Sequence, residues 1–159
     1  MDITNNLTEK FGSAIIRTED SDGILTFTVE ASSTIQIIQY LRDSLNFNFL
    51  TDLCGIHYPD QQLPFGVIYH LHNFTGNIRV RLKSFLAGPY PVIATACDLY
   101  PAANWMERET FDFYGIVFEG HPNLKRILNV DYMDYFPMRK EYPLEDPTRH
   151  DKDDNFFGR

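Results

Sequence analysis

The sequence predicts an α+β domain: a mixed or antiparallel sheet with helices on one face, plus an extended C-terminal arm. Three patterns carry that expectation. Leu25, Phe27 and Val29 alternate with Thr26, Thr28 and Glu30, the two-residue period of a strand with one buried face. Residues 65–74 and 77–85 are strand-like runs parted by Thr75-Gly76, a hairpin signature. Ile37, Ile38, Leu41 and Leu45 recur at helical spacing and give one apolar stripe suited to packing on a sheet.

The elements follow in order. Residues 1–12 read as a short leading segment with a helical turn. Residues 13–18 and 24–30 read as strands joined by Asp20-Ser21-Asp22-Gly23. Ser32, Ser33 and Thr34 offer N-cap oxygens to a helix running to about Leu45. A mostly apolar strand, 47–57, then ends at Tyr58-Pro59. On the second hairpin strand Ile78, Val80 and Leu82 face one way while Arg79, Arg81 and Lys83 face the other. That cationic row reads as a solvated face, with a dock for an acidic partner as the alternative. Residues 91–97 form a further short strand. Pro101 suits the first turn of a helix that runs to about Tyr114 and stops at Gly115. Beyond Leu128 no amphipathic period survives, and Pro137, Pro143, Pro147 and an Asp151-Lys152-Asp153-Asp154 run follow. Residues 1–135 are therefore expected to form the domain, and 136–159 an arm lying over something else.

A chain of 159 residues is long enough to bury a real core as one domain. Aromatic residues make up 14%, with 13 Phe and 9 Tyr, a richness that serves a core or a protein interface. The formal charge is -8, from 22 acids against 14 bases, and argues against nucleic acid as the main partner. The N-terminus shows no basic segment followed by an apolar one, and no apolar run approaches the ~18 residues of a membrane span. Membrane association is thus expected only through a partner. The two cysteines, Cys54 and Cys97, are too few for an iron–sulfur cluster and too isolated for structural zinc. Their apolar strand contexts predict buried thiols with raised pKa values.

Ionisable residues concentrate in Trp105–Leu128: Glu107, Arg108, Glu109 and Asp112, then Gly120-His121-Pro122, Lys125 and Arg126. Burying so many charges among aromatics is costly unless each finds a partner. Glu107 and Glu109 stand about 200° apart around a helix, which separates them as metal ligands. Neither Glu107, Glu109, Asp112 and His121 nor the strand pair His70 and His72 has a metalloprotein spacing. No phosphate-binding glycine motif and no Gly-x-Ser-x-Gly elbow is present. Arg108 and Asp112 are spaced as a helical ion pair, with Lys125 and Arg126 available to the other acids. An ionic lattice is the favoured reading, and an acid–base enzyme using Glu107 and Glu109 remains as the rival.

The run Glu107-Arg108-Glu109, Asp112-Phe113-Tyr114-Gly115, Gly120-His121-Pro122 and Lys125-Arg126-Ile127-Leu128 resembles the signature of the NuoC-type (30-kDa) subunits of respiratory complex I. Pro101-Ala102-Ala103-Asn104-Trp105, Asp52-Leu53-Cys54-Gly55 and Pro137-Met138-Arg139-Lys140 are similar to that family as well. The resemblance spans about residues 25–145, and Tyr114 departs from an expected Phe. It implies a non-catalytic assembly subunit of the peripheral arm of proton-translocating NADH:quinone oxidoreductase. FMN and iron–sulfur clusters would then belong to partner subunits, with no cofactor in this chain. The implied neighbours are the quinone-site subunit (NuoD type) and small cluster-bearing subunits (NuoB and NuoI types), peripheral on the cytoplasmic side of the inner membrane. Glu107, Arg108, Glu109, Asp112, His121, Arg126, Arg139 and Lys140 would serve structure and interface, with none catalytic. A scaffold subunit of a hydrogenase-like or chloroplast-type complex is the alternative, since those relatives share part of the signature.

Overall fold

The computed structural model describes residues 2–142. Among them are three α-helices, α1 (Ile3–Phe11), α2 (Thr34–Leu45) and α3 (Ala103–Tyr114). Five strands, β1 (Ile15–Ser21), β2 (Ile24–Val29), β3 (Phe49–His57), β4 (Phe65–Asn73) and β5 (Ile78–Leu86), form one sheet in the order β1-β2-β5-β4-β3. The β2–β5 pair is parallel and the other neighbours are antiparallel, so the sheet is mixed. Two short strands, β6 (Val92–Ala94) and β7 (Val117–Glu119), pair in parallel beside it. The α+β class expected from the sequence is the one observed.

The two-residue period sorts the sheet into two faces. Phe27, Val29, Tyr69, Leu71, Val80 and Leu82 are fully buried on one of them. Helix α2 covers that face with the predicted stripe, Ile37, Ile38, Leu41 and Leu45. Two hydrogen bonds pin it there. Asn73 Nδ2 donates to the carbonyl of Leu45 at 3.0 Å, and the Thr34 and Ser84 hydroxyls meet at 2.6 Å. Because Thr34 Oγ1 donates to the Glu30 carbonyl, the Ser84 hydroxyl must supply the proton of the second bond. Neither Ser32 nor Ser33 caps α2 as expected: Ala31–Ser33 tighten into a 3₁₀ turn ahead of it, and Ser33 makes no side-chain capping bond. At the other end Asn46 closes the helix in the left-handed region, φ 60°.

The opposite face carries the cationic row. Arg81 Nε donates to His70 Nε2 at 2.7 Å, Lys83 reaches Glu19 at 3.2 Å, and Arg79 is exposed. Only Arg79 of the row is exposed; Arg81 and Lys83 are half-buried beside their cross-strand partners.

Helix α3 lies against edge strand β3, on the buried side. Gly55 makes this approach possible, since a Cβ there would sit 2.6 Å from Tyr114 Cδ2 and 2.9 Å from Thr110 Cγ2. Gly115 ends α3 at φ 73° and admits a second close contact, because a Cβ would sit 2.5 Å from the Phe136 ring. Residues 136–142 are thereby seated on the domain. Residues 143–159, most of the expected arm, lie outside the described residues.

Replacing Gly55 with valine is expected to push α3 off β3 and to lower unfolding free energy by about 1–3 kcal/mol. Urea melts of the two proteins check this, and equal midpoints would show that the approach is not tight.

Candidate functional site

The charged residues singled out in the sequence fall into three groups around α3. The first lies inside. Glu107 is completely buried, and Asp112 is too, whereas Glu109 is exposed. Helical phase thus puts Glu107 and Glu109 in different environments, and they do not line a common cleft. An acid–base pair acting on one substrate would need both in one cleft.

Glu107 Oε1 accepts the Ala96 amide at 2.6 Å, while Oε2 accepts the Thr95 hydroxyl and, at 3.5 Å, the Cys97 thiol. Burial raises its pKa, and the bonds from Thr95, Ala96 and Cys97 only partly offset that. Burial likewise pushes the Cys97 thiol up to about 11. His121 stands close by. Its Nδ1 accepts the Asn123 amide at 3.0 Å, which leaves Nε2 to donate to the Asn104 carbonyl at 3.0 Å. Cys97, Glu107 and His121 bring a sulfur, an oxygen and a nitrogen within 4.8 Å of one another, the one ligand-like trio among the described residues. Both histidine nitrogens and both carboxylate oxygens are already committed to protein hydrogen bonds, so the trio works as a network tying α3 to the β6 segment. Thr95, Ala96 and Cys97 were not foreseen as its members, and no motif marks them.

The second group centres on Asp112. Its Oδ2 accepts the backbone amides of Ile127, Leu128 and Asn129 at 3.0, 2.8 and 2.9 Å. Its Oδ1 takes Arg126 Nη1 at 2.7 Å and the Asn129 side-chain amide at 3.1 Å. Burial alone would push this carboxyl up, but the amides of Asn129 and Leu128, the Arg126 guanidinium and the Ile127 amide outweigh it. They hold the carboxyl well below the usual carboxylate range. Arg126 goes on to bond the carbonyls of Met133 and Tyr135 at 2.8 and 2.9 Å. The expected Arg108–Asp112 pair does not form. Arg108 turns to the carbonyls of Lys125 and Arg126, both at 3.2 Å. Asp112 is buried and needs several donors at once, which the 126–129 loop supplies and a neighbouring half-exposed arginine cannot.

The third group holds residues 136–142. Arg139 Nε donates to the Tyr114 carbonyl at 2.7 Å and Nη2 to the Pro89 carbonyl at 3.1 Å, with the guanidinium over the Phe65 and Phe136 rings. Lys140 contributes its backbone: its amide donates at 3.0 Å to Nδ1 of His57, which stacks on Phe65. Burial lowers the His57 pKa, and the neutral ring is the form that can accept this bond. The His57 role had no sequence signal, because its partner lies 83 positions away. Apolar side chains around these groups remain open to solvent, among them Trp105, Leu128, Val130, Tyr132, Tyr135 and Met138. Among the described residues, no helix is long and apolar enough to cross a membrane.

Comparison with known proteins fits this picture. The family described as "Respiratory-chain NADH dehydrogenase, 30 Kd subunit" matches residues 27–148. The C-type subunit of the NADH-quinone oxidoreductase of Citrifermentans bemidjiense is 39% identical over 90% of this chain and 89% of its own length. Its counterpart from Rhizobium rhizogenes is 40% identical over 89% of this chain and 72% of its own. Among solved structures, a trypsin-resistant fragment (1-134) of Nqo5 superposes with TM-score 0.68 at 30% identity, covering 78% of this chain and 100% of the fragment. A chain of a membrane-bound sulfane sulfur reductase, an archaeal respiratory membrane complex, shares the fold with TM-score 0.76 at 24% identity, over 89% of this chain and 84% of that one.

The buried acids make opposite demands on pH. Asp112→Ala strands the Arg126 guanidinium and three amides and is expected to cost about 3–5 kcal/mol. Arg108→Ala removes only bonds to neutral carbonyls and is expected to cost about 1–2 kcal/mol. Because the folded-state pKa of Asp112 is depressed, its contribution is complete above the unfolded value, roughly 3.9, and shrinks as pH falls below it. Denaturant melts at pH 7 and pH 3 measure both effects, and a gap between wild type and Asp112→Ala that does not narrow at pH 3 would contradict the assignment. Glu107 has the opposite sign. Its raised pKa means that folding loses stability as pH rises from the ordinary value of 4.5 through the folded one. Glu107→Gln is therefore expected to gain on wild type between pH 5 and pH 8 in the same assay; a constant difference would refute it.

Proposed function

The chain belongs to the family of the 30-kDa subunit of respiratory-chain NADH dehydrogenase, and on that premise we propose that it is a non-catalytic assembly subunit. It would help to build the peripheral arm of an NADH:quinone oxidoreductase. Electron transfer from NADH to quinone is the work of the whole complex, with FMN and iron–sulfur clusters in other subunits. The observation that carries this reading is how the ionisable residues of the site are employed. Glu107, Arg108, Asp112, His121, Arg126 and Arg139 each bond to backbone or side chains of this chain, leaving a rigid body with an exposed apolar rim. Such a body suits holding neighbours in register.

The quinone-site subunit and the small cluster-bearing subunits are the proposed neighbours, and the cytoplasmic side of the inner membrane is the proposed place. Residues 143–159 would continue the arm onto a neighbour. The relative's trypsin-resistant fragment ends at 134, which supports a self-contained domain ahead of a segment that reaches elsewhere. A scaffold role in another membrane-bound respiratory complex is the second reading, favoured by the fold shared with the sulfane sulfur reductase chain. Identities of 39% and 40% to the two NADH-quinone oxidoreductase relatives favour the first.

Deleting residues 143–159 is expected to leave the thermal midpoint of the purified chain unchanged while sharply reducing its recovery with the membrane complex. Normal recovery of NADH:quinone oxidoreductase after that deletion would contradict the proposed arm. The proteins that co-purify with the full chain identify the complex.

A further inference from the structure

One surface feature is left over by the internal network. Between the edge of β3 and the outward side of α3 runs a cleft of ≈ 200 Å³ walled by Asp52, Cys54, Glu109, Phe113, Tyr114 and Met138. Aromatic and thioether residues line it, and each element contributes one acidic residue to the lining. One helical turn back from Glu109, on the same side of α3, Trp105 is 58% exposed.

Among the described residues the two carboxylates have no lysine or arginine partner within ion-pair distance, whereas Glu19, Asp43, Asp112 and Glu141 all do. His70 Nδ1 lies 3.7 Å from Asp52. Burial and the neighbouring Arg81 lower the His70 pKa, so that ring is neutral at physiological pH. The thiol of Cys54 in the same cleft is pushed up to about 11 by burial and then by Asp52, with Arg81 opposing and Glu109 adding a smaller push.

Size and wall chemistry narrow the occupant. Small-molecule sites run to roughly 300–1,000 Å³, so this cleft accepts a single side chain and not a cofactor. Two acids across a gap favour a cation, and flat aromatic walls favour a planar one that can stack while it bonds to both carboxylates. Exposed tryptophan beside such a cleft is a frequent anchor at protein interfaces. We propose that the Asp52–Glu109 cleft is a docking socket for an arginine side chain of a neighbouring subunit, whose flanking residues lie over Trp105. This rests on the assembly role argued above and adds the contact that would carry it.

The test uses the full chain in native membranes. A benzophenone amino acid at position 105 should cross-link to a peptide of another subunit that carries an arginine. Asp52→Lys and Glu109→Lys, each at a partly open position, should keep the wild-type thermal midpoint yet reduce assembled complex roughly tenfold or more. Changing the identified arginine to glutamate should then restore assembly of Glu109→Lys. Cross-links confined to residues 143–159 of the same chain, or to a second copy of it, would overturn the proposal. So would lysine variants that assemble as wild type does. If the unaltered chain fails to enter the complex at all, the assembly role falls and the socket with it.

Discussion

The carboxylate of Asp112 is the constraint on which the C-terminal third of the domain depends. Fully buried, it can be stable as an anion only if its oxygens are saturated with donors. Three consecutive amides, Asn129 and Arg126 supply them. That requirement fixes the path of residues 126–129 across the helix. Arg126, placed by the same pair, then binds the Met133 and Tyr135 carbonyls and so carries the order onward to residue 135. One anion thus organises a stretch that has no regular secondary structure of its own.

Close backbone approach does the corresponding work at the two ends of α3. Gly55 lets the helix settle on edge strand β3, and Gly115 lets the Phe136 ring and the Arg139 guanidinium fill the space beyond its last turn. Arg139 then joins three parts of the chain, bonding the Tyr114 and Pro89 carbonyls and covering the Phe65 ring on β4. His57 holds the next residue by its backbone. A body stiffened in this way can hold neighbours at fixed distances, which is what an assembly subunit of an electron-transfer complex must do.

Charge is partitioned accordingly. Acids that face inward, Glu107 and Asp112, are spent on the domain's own backbone. Glu109, only two positions from Glu107, faces outward with Asp52 and is left for a partner. The alternation of roles along one helix follows from its pitch, since residues two apart point to nearly opposite sides. A crowded acidic run of this kind therefore divides its carboxylates between the interior of the domain and its surface.

Local pattern was enough for much of this. The alternation in β2, the hairpin of β4 and β5, the stripe of α2 and the Gly115 stop were all readable from the sequence, because each depends on neighbours within a few residues and on a fixed backbone period. The separation of Glu107 from Glu109 and the raised thiol pKa of Cys54 on β3 were readable for the same reason. Cys97, by contrast, lies in a turn beyond β6 and not in the expected strand, and both thiols are half-buried. Ser33 shows the limit: a capping residue in the right place went unused because a 3₁₀ turn came first and Thr34 found Ser84, fifty positions away. The partner of Asp112 shows it more strongly. Helical spacing pointed to Arg108, but a buried anion is served by whichever element brings enough donors, and only the folded chain decides that the loop at 126–129 passes over it. The sequence by itself thus determined most of the elements, though not β7, together with the faces they bury and the family. Tertiary structure decided which charges pair, that His57 and Thr95 take part, and that Asp52 and Glu109 share a cleft, because long-range electrostatic satisfaction depends on contacts that no local period encodes.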